Sequence, residues 1–92
     1  MVRSFADEET HQLYITGRSR KFGNLARAAA RKIETIDFAA TLEDLRNPPG
    51  NRLEKLRGDR GGKYSIRVND QYRVCFRWQG EDARDVELVD YH

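Results

Sequence analysis

Cysteine occurs once in the 92 residues, at position 75, so no internal disulfide can form and the core must hold without a covalent tie. Histidine occurs twice, at positions 11 and 92, too sparsely for a Cys/His zinc cluster. No metal or other cofactor is expected. Long apolar runs are missing, and nothing approaches the roughly 20 residues a bilayer requires. The opening MVRSFADEET lacks the apolar stretch of an export signal. These absences lead us to expect a cytoplasmic protein with no membrane partner. There is no internal repeat and no low-complexity tract. A strong excess of one charge is also lacking, and the net charge of +2 predicts no partner by itself. Lysine is scarce, with four against thirteen arginines. Arginine grips phosphate bidentately where lysine acts as a point charge, so this bias leans towards nucleic acid.

What is present is sufficient for folding. A hydrophobic content of 38% supports one domain over residues 1–92 with a modest core. Val2 and Phe5 predict a short opening strand. ADEETHQLYITG predicts a helix, with Asp7, Glu8 and Glu9 suiting its N-terminus and Gly17 its end. After the basic connection RSRKFG, Asn24 is a candidate cap for a second helix over 25–40. Its apolar positions Leu25, Ala28, Ala29, Ile33, Ile36 and Ala40 fall at helical spacing. Thr41 and Asp44 form a capping-box pattern for a further turn or two, which NPPG at 47–50 stops. Beyond Gly50 the period changes from about 3.6 to 2. Leu53 and Leu56 flank a first short strand that breaks at GDRGG, and KYSIRV, YRVCFRW and DVELVDYH supply three more. Helices followed by an antiparallel meander give an α+β fold with helices packed on one sheet face.

The segment from Arg52 to Arg77 holds eight basic residues against three acidic ones, a surplus of five. A three-residue turn at 69–71 keeps Tyr64, Ile66 and Val68 on the same face as Tyr72, Val74 and Phe76. That register sets Arg67 opposite Arg73 and Lys63 opposite Arg77, like-charge pairs costing up to roughly 1 kcal/mol each. Two readings follow: Asp85 or Glu87 neutralises these arginines, or the face is an anion site suited to a phosphate backbone. On this reading Arg67, Arg73 and Arg77 line an exposed or half-exposed face, and removing Arg73 costs little stability. The ending Asp90, Tyr91, His92 comes directly off the last strand. Tyr91 is in phase with the arginines, and a bulge after Val89 would be needed to bring Asp90 and His92 round as well. RNA cleavage by a ribose 2′-hydroxyl needs a base, a cation for the phosphorus-centred charge and an acid. Histidine and fixed arginines suit these tasks.

The elements LRGDR (56–60), SIRV (65–68), YRVCF (72–76) and DYH (90–92) together resemble the C-terminal half of the HigB branch of the RelE-like toxins, the plasmid maintenance killer family. The resemblance implies a RelE-like α+β fold, with N-terminal helices on a mostly antiparallel twisted sheet. It implies a ribosome-dependent mRNA endonuclease that cleaves in the ribosomal A site without a metal. A HigA-like helix-turn-helix antitoxin would hold it inactive, either by covering the arginine face or by gripping the helical side, the latter being preferred here. Through that partner alone would DNA be contacted. Arg73, Tyr91 and His92 match functional positions, with Asp90 in support; Lys55, Arg57, Arg60, Arg67 and Arg77 would bind RNA. Relatives often carry His and Lys where this chain has Glu54 and Arg57, which makes Glu54 a further catalytic candidate. The other class of function is a non-catalytic toxin of the same fold, such as one directed at gyrase, or a plain RNA-binding module.

Overall fold

Asp7 starts the first helix by accepting a hydrogen bond from the Thr10 backbone N–H at 2.6 Å through its side chain, and Gly17 ends it in the left-handed region at φ 70°. In this computed structural model, which describes residues 1–57 and 62–91, helix α1 covers Glu8–Thr16 and helix α2 covers Leu25–Phe38. Asn24 is not the cap its position suggests. Hydrogen bonds from Gly23 to Ser19 and from Leu25 to Phe22 already wind the entering chain, so Asn24 is helical and its side chain makes no capping bond. Helix α2 stops at Phe38 because Ala39 is extended. The Thr41–Asp44 capping box forms as expected and opens a short 3-10 turn, Leu42–Arg46. The Thr41 and Ala40 backbone N–H groups, bonded to the Asp44 carboxylate, hold its pKa below the ordinary range. A second 3-10 turn, Pro49–Asn51, leads into Arg52 at φ 45°. Asn51 is fully buried and ties this region together, accepting from Lys32 Nζ and donating to the Leu45 and Asn47 carbonyls.

The strands are β1 (Glu54–Lys55), β2 (Lys63–Arg67), β3 (Tyr72–Gln79) and β4 (Asp82–Asp90), in that order across one antiparallel sheet. The hairpin register is the expected one: Arg67 faces Arg73 and Lys63 faces Arg77. Asn69 makes the turn by accepting from the backbone N–H groups of Gln71 and Tyr72, both at 2.8 Å. Most of the GDRGG break, residues 58–61, lies outside the described residues.

Val2 and Phe5 bridge in parallel to Ala83 and Val86, so the opening segment runs along the outer side of β4. The strand irregularity falls here rather than after Val89. Between Cys75 and Arg77 the register shifts, Asp85 takes φ 54°, and its N–H donates to Ser4 Oγ at 2.9 Å. The helices pack on one sheet face around Leu13, Ala29, Ile33, Ile36, Ile66, Val74, Phe76 and Val86, all at or near zero exposure. Asp37 of α2 clamps this layer, accepting from Val2 N at 2.7 Å and from the Tyr14 hydroxyl at 2.9 Å. Burial, then the Asp37 carboxylate, push the Tyr14 pKa up to about 12.

Candidate active site

Alternation sends Ile66, Val74 and Phe76 into the helix-covered core, which leaves Ser65, Arg67, Arg73, Cys75 and Arg77 for the other face. Arg67 and Arg77 are half-buried, as expected, but Arg73 is only 8% exposed. The expectation that Arg73, like Arg67 and Arg77, is exposed or half-exposed on that face is therefore corrected: it is buried. Its Nε donates to Ser65 Oγ at 2.8 Å, and Nη2 donates to the Ser65 carbonyl at 3.2 Å and to the Arg52 carbonyl. A buried guanidinium is tolerated only when its N–H groups are bonded in this way. The sequence reading missed Ser65 and Arg52. Strand parity, which puts Ser65 on the arginine face diagonal to Arg73, would have found the first. The second depends on the left-handed backbone at Arg52, for which the sequence carries no signal.

Around this fixed cation the other candidates divide. Glu54 Oε1 lies 3.9 Å from Arg73 Nη1, brought there by pairing of Glu54 with Ser65. The Tyr91 ring centroid is 5.9 Å from the Arg73 guanidinium carbon, and the Tyr91 N–H donates to the Gln71 carbonyl at 2.6 Å. Tyr91 thus reaches the arginine face as its phase requires. Arg52, Glu54, Arg67, Asn69, Asp70, Arg73 and Tyr91 line a surface cleft of about 290 Å³. Asp90 pairs with Tyr72, a residue packed against the core, and its carboxylate accepts from Gln71 Nε2 at 3.0 Å. Its side chain is not on the Arg73 face.

Lys55 pairs with Tyr64 and also falls on the helix side of the sheet, away from the cleft, although it is exposed. Arg57 is exposed just beyond β1. Arg77 sits four residues along β3 from Arg73, with Asp85 Oδ2 at 3.3 Å from its Nε. The neutralising reading thus holds at Arg77 through Asp85, while Asp70 pairs with Arg67 and Glu54 approaches Arg73. Arg60 and His92 lie outside the described residues. Among the described residues, no group of three or more His, Cys, Asp or Glu could hold a metal ion, and no helix is long and apolar enough to cross a membrane.

A family model described as the RelE-like toxin of the type II toxin–antitoxin system HigB matches residues 3–92. The chain belongs to the HigB-like toxin family. It is 41% identical over 80 residues to a protein of Vibrio cholerae serotype O1 named Toxin HigB-1, spanning 85% of this chain and 84% of that one. It is 34% identical over 61 residues to Endoribonuclease HigB of Proteus vulgaris, covering 66% and 65% of the two. The fold is that of a YoeB–YefM complex chain from Staphylococcus aureus, with a TM-score of 0.61 at 16% identity over 100% of this chain and 98% of that one. Within the HigB-like frame, the cleft is the place where Arg73, Tyr91 and Glu54 converge.

Proposed function

We propose that this HigB-like toxin is a ribosome-dependent endoribonuclease that cleaves mRNA in the ribosomal A site without a metal and thereby stops translation. The observation that carries the proposal is Arg73, buried, bonded on three sides and open to the cleft beside Tyr91. In the proposed reaction a base takes the proton of the ribose 2′-hydroxyl, and the 2′-oxygen bonds to phosphorus. The bond from phosphorus to the 5′-oxygen breaks, and an acid protonates that oxygen, leaving a 2′,3′-cyclic phosphate and a 5′-hydroxyl. Arg73 is already held in place, so it stabilises the extra charge on phosphorus without reorganising. His92 serves as the acid, Tyr91 stacks on a base or shares the proton transfer, and Glu54, 3.9 Å from Arg73, is the candidate base. Asp90 supports His92. Arg57, Arg60 and Arg67 hold flanking phosphates, while Lys55 and Arg77 contribute from outside the cleft.

The family and the printed name of the Proteus vulgaris relative support an endoribonuclease, and membership of a toxin–antitoxin family supports a cognate antitoxin of the HigA-like helix-turn-helix kind. DNA would then be reached only through that partner. The test is cleavage of mRNA loaded on ribosomes, run beside a gyrase supercoiling assay. Codon-phased cuts that need ribosomes and leave 2′,3′-cyclic phosphate ends support the reading. Intact mRNA together with blocked supercoiling replaces it with a gyrase-directed toxin.

A further inference from the structure

Residues 17–33 contain Arg18, Arg20, Lys21, Arg27, Arg31 and Lys32 and not one acidic residue, a denser run of positive charge than the segment that builds the cleft. Arg18, Arg20, Lys21, Arg27 and Arg31 are all exposed. The ion pairs among the described residues engage Arg3, Arg46, Arg67, Arg73 and Arg77, and none reaches this run. Arg18 and Arg27 line one surface depression together with Gly17, Ser19, Gly23 and Asn24. Arg18 and Arg20 line a second, which also takes in Glu9, whose carboxylate accepts from the Ser19 hydroxyl at 2.7 Å. Arg27 and Arg31 are four apart on α2, a like-charge spacing that costs helix stability. Lys32 bonds the buried Asn51 and Lys21 lies over Phe22, whereas Arg18, Arg20, Arg27 and Arg31 make no ion pair among the described residues that would give folding a use for their charge.

The aromatic in the run points inward. The Phe22 ring meets the Tyr72 ring edge-on at 5.7 Å, with Lys21 Nζ 5.2 Å above Phe22. Tyr72 immediately precedes Arg73, so this contact sets the basic connection beside the end of the sheet where the cleft lies. The exposed large apolar side chains are Met1, Ile15, Phe38 and Tyr91, none of them within the run. Binding of single strands combines basic grooves with aromatic platforms for stacking, whereas a duplex is held through its phosphates and 2′-hydroxyls without stacking. The two basic surfaces therefore differ in kind. The cleft offers Tyr91 as a platform, and the α1–α2 connection offers charge without one.

We infer that Arg18, Arg20, Lys21 and Arg27 form a second RNA site, which grips the phosphate backbone of double-helical RNA while the cleft receives a single strand. The inference goes beyond the cleavage reading, and direct binding measurements test the two apart. The toxin and the variant R18Q/R20Q/K21Q/R27Q are titrated with a short RNA duplex and an unstructured strand of the same length, over a range of salt. The four side chains make no ion pair, so the variant keeps the fold, which its melting temperature checks. Duplex affinity is expected to fall about 10–100-fold, and the slope of log K against log salt to flatten by about two or more. Single-strand affinity stays within about threefold. Tyr91→Ala gives the reverse pattern, losing about tenfold on the single strand alone. Unchanged duplex affinity and slope in the quadruple variant overturn the inference. So does a variant that keeps its duplex affinity but no longer binds its antitoxin, which would make the run a protein-docking surface. Should Arg73 variants cleave normally, the cleft reading fails and the duplex result stands on its own.

Discussion

Arg73 has a structural role and a proposed catalytic one, which two measurements on one substitution separate. Its guanidinium holds Ser65 and the Arg52 carbonyl as well as facing the cleft. Arg73→Ala is therefore expected to lose about 2–3 kcal/mol of stability, because buried acceptors lose a charged donor. It should also cut cleavage by about 10²–10³-fold. Urea denaturation and single-turnover cleavage read the two effects independently. A stability-neutral variant would mean the three hydrogen bonds are individually worthless. A normally cleaving one would remove Arg73 from the chemistry. Deleting His92 tests the proposed acid: cleavage is expected to fall by about 10²–10⁴-fold, with the melting temperature read alongside. Wild-type cleavage by the deletion variant would move proton transfer to Glu54 or Tyr91. Strand parity made the face of Arg73 and the approach of Tyr91 readable in the sequence. The burial of Arg73 was not readable, since it depends on a carbonyl 21 residues away, turned by one unusual backbone angle.

At the scale of elements, α1 is held less by its own length than by what Asp37 does for it. Nine residues make a marginal helix in isolation. The Tyr14–Asp37 hydrogen bond fastens α1 to α2, and the same carboxylate fastens the opening segment at Val2. Tyr14 has its pKa raised from near 10 to about 12, so the folded state keeps the phenol protonated after the unfolded chain has begun to release it. The stability this provides is fully present below about pH 10 and is lost as the pH rises towards about 12. In Tyr14→Phe, unfolding free energy at neutral pH should drop by about 1 kcal/mol, and the alkaline decline between those limits should be shallower. An equally steep decline would place the alkaline titration elsewhere. The elements themselves were largely legible, because the change of period at Gly50 and the parity of the hairpin are local patterns. The failures have non-local causes. Asn24 is overruled by the winding of the turn before it, and the bulge near Asp85 is set by Ser4, 81 residues away.

For the molecule as a whole, the helix layer and the sheet share one core while the proposed RNA chemistry lies on the opposite face and the sheet end, so the proposed activity and the stability of the fold meet at Arg73. One feature of the topology also bears on when the toxin comes into being. β4 lies between β3 and the opening segment, receives backbone hydrogen bonds from Arg3 and Ala6, and brings Ala83, Val86 and Leu88 to the core. Residues 1–6 are translated early, yet the strand they lean on leaves the peptidyl-transferase centre after every helix has done so. Closing such a long loop is entropically demanding and gives nothing back until β4 arrives. Nascent chains arrested before Val86 should therefore remain protease-sensitive along α1 and α2, whereas chains extended past Asp90 and clear of the exit tunnel should resist digestion. Protection of the arrested chains would show that the helices find a stable partner without β4. With the order as the hydrogen bonds have it, both helices are made and waiting before the strand that closes their core is in reach.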